Sequence, residues 1–174
     1  MPVLLLRLPW SAIRARRKTK LALDETSVVT YRVRLTDTDW YGHMNNGRYL
    51  TNLDLGRTDF CVRIGLFSIF TRLGWRPVVA GATVRFRRSL NTFTKYTMST
   101  RLLGWDTDWW FFEQQLHDSE GKLAGHAWVK VAVMKDRGRG ARVTPDEAIA
   151  ELGYTGEPFV LPPKIAHWQS SGVG

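Results

Sequence analysis

The segment from Thr36 to Tyr49 carries the residue types best suited to catalysis in this chain. It reads Thr-Asp-Thr-Asp-Trp-Tyr-Gly-His-Met-Asn-Asn-Gly-Arg-Tyr and so gathers two carboxylates, an imidazole and two carboxamides. Carboxylates and imidazoles serve as general bases in hydrolysis, and a carboxylate can also act as a nucleophile. Because Asp, Gly and Asn favour turns and helix starts, we expect the cluster in a loop that leads into a helix. Negative charge is stabilised at a helix N-terminus, which makes this segment a candidate catalytic site.

A strand and a helix are predicted on the two sides of this segment. Residues 28–35 are rich in β-branched and aromatic side chains, which is typical of a strand. From about residue 46 to about residue 73, apolar residues recur every three or four positions and predict one long helix. Gly56 lies on the apolar stripe of this helix, which predicts that the helix approaches a packed surface closely there.

Four further strand-like runs follow the predicted helix, joined by short turn-like links. They cover residues 76–89, 95–103, 109–117 and 122–134. Consecutive strands with short links form an antiparallel meander. The helix must bury its stripe against this sheet, so we predict an α+β fold in which five to six curved antiparallel strands wrap one long central helix. The open edges of such a sheet invite a second copy of the chain.

The chain divides into three parts by composition. Residues 1–24 form an apolar-basic arm, and residues 25–153 form the domain. Within the domain, Thr144 and Pro145 start a capping box that predicts a short helix ending near residue 152. Residues 154–174, which contain several prolines, are predicted to be an extended tail.

The net charge of +9 is concentrated in the N-terminal arm. Residues 1–20 hold six basic residues and no acidic residue, so the rest of the chain carries only +3. A nucleic-acid-binding domain carries its basic excess on the folded body, and no nucleic-acid partner is therefore predicted. Two interpretations of the arm stay open: it makes a peripheral contact with an anionic membrane surface, or it is a frayed basic arm.

The remaining sequence signals argue against several site classes. Cys61 is the single cysteine, which excludes an intrachain disulfide, fits a cytoplasmic protein and is interpreted as structural. No group of Cys, His, Asp and Glu has metal-ligand spacing, and no phosphate-binding loop or dinucleotide fingerprint occurs. Neither a metal nor a cofactor is expected.

The segment from Asp37 to Tyr49 matches Asp-x-Asp-x-x-Gly-His-x-Asn-Asn-x-x-Tyr at every specified position. With the predicted order of elements, it resembles the hotdog-fold thioesterases of the 4-hydroxybenzoyl-CoA thioesterase type. Residues 85–90 and 100–106 are similar to a narrower branch that includes thioesterase superfamily member six. The resemblance covers most of residues 28–135 and implies hydrolysis of an acyl- or aroyl-CoA thioester by a homodimer or homotetramer.

The resemblance also implies roles for individual residues. Asp39 is the expected nucleophile or general base, with His43 and Asn46 as further catalytic residues. The backbone amides of Asn45, Asn46 and Gly47, at the start of the helix, are the expected oxyanion donors. The expected substrate-binding residues are Trp40, Tyr41, Gly42, Asn45, Gly47, Tyr49, Arg85 and Arg87.

Alternatives stay open for several of these residues. Asp39 could merely cap a turn, and Trp40 and Tyr41 could close over the local core instead of lining an acyl pocket. Arg85, Arg87 and the neighbouring Arg88 could lie on a solvated sheet surface instead of meeting the phosphates of coenzyme A. The alternative function is a non-catalytic acyl- or lipid-binding hotdog protein at a membrane surface.

Overall fold

The structure is a computed structural model that describes residues 2–136, 140–157 and 159–170. Its helices are α1 (Pro2–Arg16), α2 (Asn46–Arg63), α3 (Leu66–Leu73), α4 (Pro145–Leu152) and α5 (Pro163–Ser170). Its strands are β1 (Ser27–Arg32), β2 (Arg76–Phe86), β3 (Lys95–Trp105), β4 (Trp110–His117), β5 (Leu123–Met134) and β6 (Arg142–Val143).

The strands form one antiparallel sheet in the order β1-β3-β4-β5-β2, and the two-residue β6 pairs with the end of β5. The sheet curls around α2, so the predicted α+β hotdog architecture is confirmed. The order places β1 and β2 at opposite edges of the sheet, although they are consecutive strands in the sequence with α2 and α3 between them. Within the described ranges, no helix is long and apolar enough to cross a membrane.

The contact between α2 and the sheet is unusually close at Gly56. A methyl group added there would lie 2.4 Å from Met98 Sδ and 2.8 Å from Thr100 Oγ1, closer than side chains normally approach. Beside it, the fully buried Gln114 donates to Leu53 O at 3.0 Å, which ties the sheet to the helix. The close approach that was predicted for Gly56 is therefore confirmed.

We predict that Gly56→Ala lowers the free energy of unfolding by about 1–3 kcal/mol. Alanine favours an isolated helix by about 1 kcal/mol over glycine, but here the added methyl group overpacks the helix–sheet contact. Urea denaturation measures the change, with Thr71→Ala on the exposed side of α3 as a control that should stay within about 0.5 kcal/mol of the original chain. A more stable Gly56→Ala variant would contradict this packing.

The prediction of one helix to residue 73 was wrong, because the helix is interrupted after Arg63. Gly65 has φ of +90°, a left-handed conformation that ends one helix and starts α3 in a new direction. Residues 163–170 were predicted to be extended and are helical instead. There Ile165, only 1% exposed, packs against Leu103 and Phe111, and this burial favours a helix that proline can start.

The N-terminal arm is not frayed. Residues of α1 pack along α2, and Ala12 and Ala15 are buried in this contact. Ser11 donates to Leu55 O at 3.3 Å, and Lys18 pairs with the buried Asp59 at 2.6 Å. Residues 7–16 thus form a third layer over the central helix, while the prediction of a membrane contact stays a prediction.

Candidate active site

The candidate catalytic loop joins β1 to α2 and folds back on itself. Thr38 and Met44 form an antiparallel bridge, and Asp39 N–H donates to His43 O at 3.0 Å. Gly42 closes this turn with φ of +74°, a conformation that glycine adopts without strain. A Cβ at Gly42 would meet only Thr92 Oγ1 at 3.8 Å, so the backbone angle, and not crowding, requires glycine here.

Asp39 uses one carboxylate oxygen to hold the turn. Its Oδ1 accepts hydrogen bonds from the amides of Tyr41 at 3.0 Å and His43 at 3.4 Å. The second oxygen, Oδ2, has no hydrogen-bond partner in the described part of the chain. The side chain is half-buried. Asp39 therefore caps the turn through Oδ1 and keeps Oδ2 available.

A cavity of about 320 Å³ opens beside this loop. Five of the residues predicted from sequence line it: Asp39, His43, Asn46, Tyr49 and Arg87. Arg88, which the sequence also offered as a phosphate contact, lines it too, together with Met44, Phe86 and Ser89, which were not among the predicted site residues. The cavity therefore joins the start of α2 to the end of β2, two segments that are about 40 residues apart in sequence.

Six other predicted site residues do not line this cavity. Trp40 and Tyr41 lie at the tip of the loop with 102% and 84% of their surface exposed, so they neither form an acyl pocket within one protomer nor close over the core. Arg85 is exposed on β2 opposite His126. Gly42, Asn45 and Gly47 contribute to the loop and the helix start instead of to the cavity wall.

The helix start offers fewer free amides than expected. Asn45 N–H donates to Asp37 O at 2.8 Å, and Gly47 N–H donates to the capping Asn45 Oδ1 at 2.9 Å. Because the cap and the loop satisfy these two donors, the expectation that both face the substrate was wrong. Asn46 N–H has no acceptor within the ranges that the structure describes, and Asn46 lines the cavity.

Two arginines reach the cavity because the strand ends early. Strict alternation beyond Phe86 would place Arg87 and Arg88 on opposite faces. Instead both amides donate to Ala124 O, at 2.8 and 3.1 Å, so the alternation is lost and both residues line the cavity. The sequence shows the run Arg-Phe-Arg-Arg-Ser, but it does not show that the strand alternation is lost within this run.

Tyr49 connects the helix to this arginine segment. It is 2% exposed, its hydroxyl donates to Arg88 O at 3.3 Å, and its ring packs edge-on against Phe86. Burial raises the pKa of Tyr49 above its ordinary value, which keeps the hydroxyl protonated and able to donate. The residue therefore supports one wall of the cavity.

Asp37 is held by a residue that the sequence did not associate with the site. Arg7 Nη1 of α1 donates to Asp37 Oδ1 at 2.7 Å, and both side chains are at least nine-tenths buried. Arg7 also donates to Thr36 Oγ1 at 3.1 Å, while Asp37 Oδ2 accepts from Arg34 N–H at 3.2 Å. The N-terminal helix thus fastens the catalytic loop through a buried ion pair.

Neither a reactive cysteine nor a metal site is found at this cavity among the described residues. Cys61 is not among its lining residues, and burial raises the pKa of its thiol to about 12, so the reactive thiolate is scarce at neutral pH. Among the described residues, no three His, Cys, Asp or Glu side chains are grouped as a metal site would require.

Comparison with known families decides the classification. The model of the thioesterase-like superfamily matches residues 33–169, most of this chain. The chain belongs to this superfamily. Protein THEM6 of Xenopus laevis is 32% identical over 133 residues, which cover 76% of this chain and 61% of that protein. Protein THEM6 of Danio rerio is 41% identical over 88 residues, which cover 51% of this chain and 44% of that protein. The chain thus spans about half of these relatives' lengths.

Solved structures support the hotdog architecture of this superfamily member. A DHNA-CoA thioesterase from Staphylococcus aureus superposes with a TM-score of 0.66 at 16% identity, covering 84% of this chain and 95% of that one. The protein SAV2348 from the same organism, solved in complex with CoA, superposes with a TM-score of 0.64 at 16% identity, covering 86% and 97%. At 16% sequence identity, the similarity of these two structures to this chain is evidence for the fold alone.

Proposed function

We propose that this chain hydrolyses acyl- or aroyl-CoA thioesters, with Asp39 as the nucleophile or general base. The observation that carries the proposal is the shared cavity, in which Asp39, whose Oδ2 has no hydrogen-bond partner among the described residues, lies beside the start of α2 and near Arg87 and Arg88. Superfamily membership and the CoA-bound structural neighbour support the substrate class.

The residues around the cavity suit the steps of thioester hydrolysis. Asp39 either attacks the carbonyl carbon, forming an anhydride that water then cleaves, or removes a proton from the attacking water. Both routes release the thiol and a carboxylic acid. The Asn46 N–H and the positive end of α2 stabilise the oxyanion, and His43 orients the thioester. Arg87 and Arg88 bind phosphate groups of coenzyme A.

A hydrolysis panel tests this function directly. The purified chain is incubated with acetyl-, hexanoyl-, lauroyl-, palmitoyl- and benzoyl-CoA, and the free thiol is measured over time. Turnover of at least one thioester above the uncatalysed rate is expected, and the preferred member defines acyl length and aromaticity. The absence of turnover throughout, in a protein that is folded and binds acyl-CoA, would contradict the proposal.

A second candidate function is acyl binding without turnover. The specific observation in its favour is that two of the three expected helix-start amides are already occupied, leaving Asn46 N–H as the one unpartnered donor of the three. An oxyanion site with one donor is weaker than one with two. Saturable acyl-CoA binding in the panel, with no thiol release, would favour this alternative.

We also propose that two copies associate through the edge strand β2. This strand pairs with β5 on one side, and Val78 and Val79 on it are 45% and 46% exposed. A second copy would pair with the open edge and cover these apolar side chains. Trp40 and Tyr41, exposed at the catalytic loop, would gain a covering surface in the same assembly.

Replacing both valines by lysine is expected to shift the chain to a monomer, because charged side chains on an edge strand oppose pairing. Sedimentation velocity measures the assembly state before and after Val78→Lys with Val79→Lys. The matched control is Val160→Lys, an exposed valine outside the sheet that should leave the state unchanged. A variant that sediments like the original chain would remove β2 as the contact.

A further inference from the structure

A second cavity is formed by a set of elements that includes the N-terminal helix. It has a volume of about 280 Å³ and is lined by residues of α1, of the edge strand β1, of β3 and of α2. It has no lining residue in common with the cavity at Asp39. The proposed thioesterase reaction does not use it.

The lining of this second cavity is strongly basic. Its cationic residues are Arg7, Arg14, Arg32, Arg34 and Lys95. Arg7 is paired with Asp37, and Arg32 donates to the neutral carbonyl of Phe93. The side chains of Arg14, Arg34 and Lys95 have no hydrogen-bond or ion-pair partner in the described part of the chain.

The acidic residue in this lining is bound by partners of its own and does not offset these charges. Asp59 is the acidic residue of the lining, and it is 2% exposed and already bound by Lys18 at 2.6 Å and Ser27 at 2.6 Å. Like charges that converge on one opening repel each other unless an anion is bound between them. The charge distribution is therefore complementary to a negatively charged ligand.

A buried donor in the same lining also lacks an acceptor. Arg7 Nε makes no hydrogen bond with any described residue. The Tyr31 hydroxyl of the same lining lies near Ser11, and burial raises the pKa of Tyr31 to about 12, so its hydroxyl keeps its proton. Buried polar groups are nearly always paired, and an oxygen-rich ligand would supply the acceptor that Arg7 Nε lacks.

Apolar and aromatic side chains form a further part of the lining. Val29, Leu55, Tyr96 and Trp10 contribute to it, and Trp10 is 65% exposed at the cavity mouth. Ile13, three residues further along α1, is 49% exposed. The volume lies at the small end for ligand pockets, which suits a head group and its first carbons better than a whole lipid.

We propose that this cavity binds the phosphate or carboxylate head group of an anionic amphiphile. The head group lies among Arg14, Arg34 and Lys95, and the alkyl chain leaves the cavity along Trp10 and Ile13. The ligand reaches the cavity either as a free molecule or as a lipid in a bilayer surface. The site does not depend on the proposed hydrolysis.

Calorimetric titration with octyl phosphate tests the site. One saturable site is expected, and binding should weaken by about tenfold or more when Arg14→Gln is combined with Lys95→Gln, since each change removes a charged donor. Octanol has the alkyl chain without the phosphate, and inorganic phosphate has the head group without the alkyl chain. Both are expected to bind much more weakly than octyl phosphate. Equal affinity for either of them would overturn the proposal.

Three further variants distinguish this cavity from other basic surfaces. Arg17→Gln removes an exposed arginine that follows α1, and Arg76→Gln removes an exposed arginine at the start of β2; neither residue lines the cavity. Both should bind octyl phosphate with unchanged affinity. Thr30→Glu places a negative charge on the exposed edge of the lining and should weaken binding while the chain stays folded. Loss of binding in Arg76→Gln with retention in the double variant would overturn the proposal.

Vesicle sedimentation identifies the source of the head group. The probes are phosphatidylcholine vesicles with and without phosphatidic acid. Loss of vesicle binding in the double variant supports lipid head groups presented by a bilayer. Vesicle binding that is unchanged in this variant, while octyl phosphate binding is lost, supports a free amphiphile. If the double variant retains binding to both probes, the cavity is not the site.

Discussion

Asp39→Asn is expected to lower kcat/KM for acyl-CoA hydrolysis by roughly 30- to 1,000-fold, a loss of about 2–4 kcal/mol of transition-state stabilisation. The amide can neither attack a thioester nor remove a proton from water. It is nearly the same size as the carboxylate, and its oxygen can still accept from the Tyr41 and His43 amides. The loop should therefore keep its shape while the chemistry is lost.

The chain offers a matched control for this substitution. Asp118, in the turn between β4 and β5, accepts from the amides of Glu120 and Lys122 at 3.0 and 2.9 Å, the same turn-holding role that Asp39 plays. Asp118→Asn should leave kcat/KM unchanged. Thiol-release kinetics on both variants, with circular dichroism to verify folding, separate a catalytic role from a turn-capping role. Full activity in Asp39→Asn would leave Asp39 with the capping role alone.

Arg7→Ala is expected to lower the free energy of unfolding by about 3–5 kcal/mol, the usual cost of removing one partner of a buried ion pair. Without Arg7, the 2%-exposed carboxylate of Asp37 would be left buried and uncompensated. The same change removes the donor to Thr36 Oγ1 and part of the contact between α1 and α2. Urea denaturation at neutral pH measures the effect.

Two comparisons give this second prediction its specificity. Arg17→Ala removes an exposed arginine after α1 and should change stability by less than about 0.5 kcal/mol. Combining Arg7→Met with Asp37→Asn should cost less than the sum of the single changes, because no unpaired buried charge is then left. An additive double variant, or a stable Arg7→Ala variant, would mean that the two groups do not form a coupled pair in solution.

The ion pair also has a consequence for the candidate site. Asp37 O accepts from Asn45 N–H, and Asn45 caps α2. Arg7 therefore holds the residue that anchors the beginning of the central helix, two positions before Asp39. The N-terminal helix contributes to the placement of the catalytic loop without contacting the cavity at Asp39.

Local signals in the chain were enough for much of the secondary structure and for the loop. The strand predicted over residues 28–35, the helix start after the polar segment and the helix start at Thr144 each depend on neighbouring residues. The structure has β1 at Ser27–Arg32, α2 from Asn46 and α4 from Pro145 with Thr144 as its cap. Gly56 was predictable for the same reason, because a glycine on an apolar stripe has few explanations other than close packing. The break at Gly65 was missed because the apolar repeat continues across it.

The sequence by itself determined the order of the first strand, the central helix and the four strands that follow it, the polar loop before α2 and the residue types that fit thioester chemistry, since these depend on contacts within a few residues. Only the tertiary structure decided which groups meet: Arg7 with Asp37 across 30 positions, and Arg88 with Asp39 in one cavity. It also decided that the Asn45 and Gly47 amides are occupied. Such pairings are set by burial and by competition for hydrogen-bond partners across the whole fold, and no local pattern encodes them.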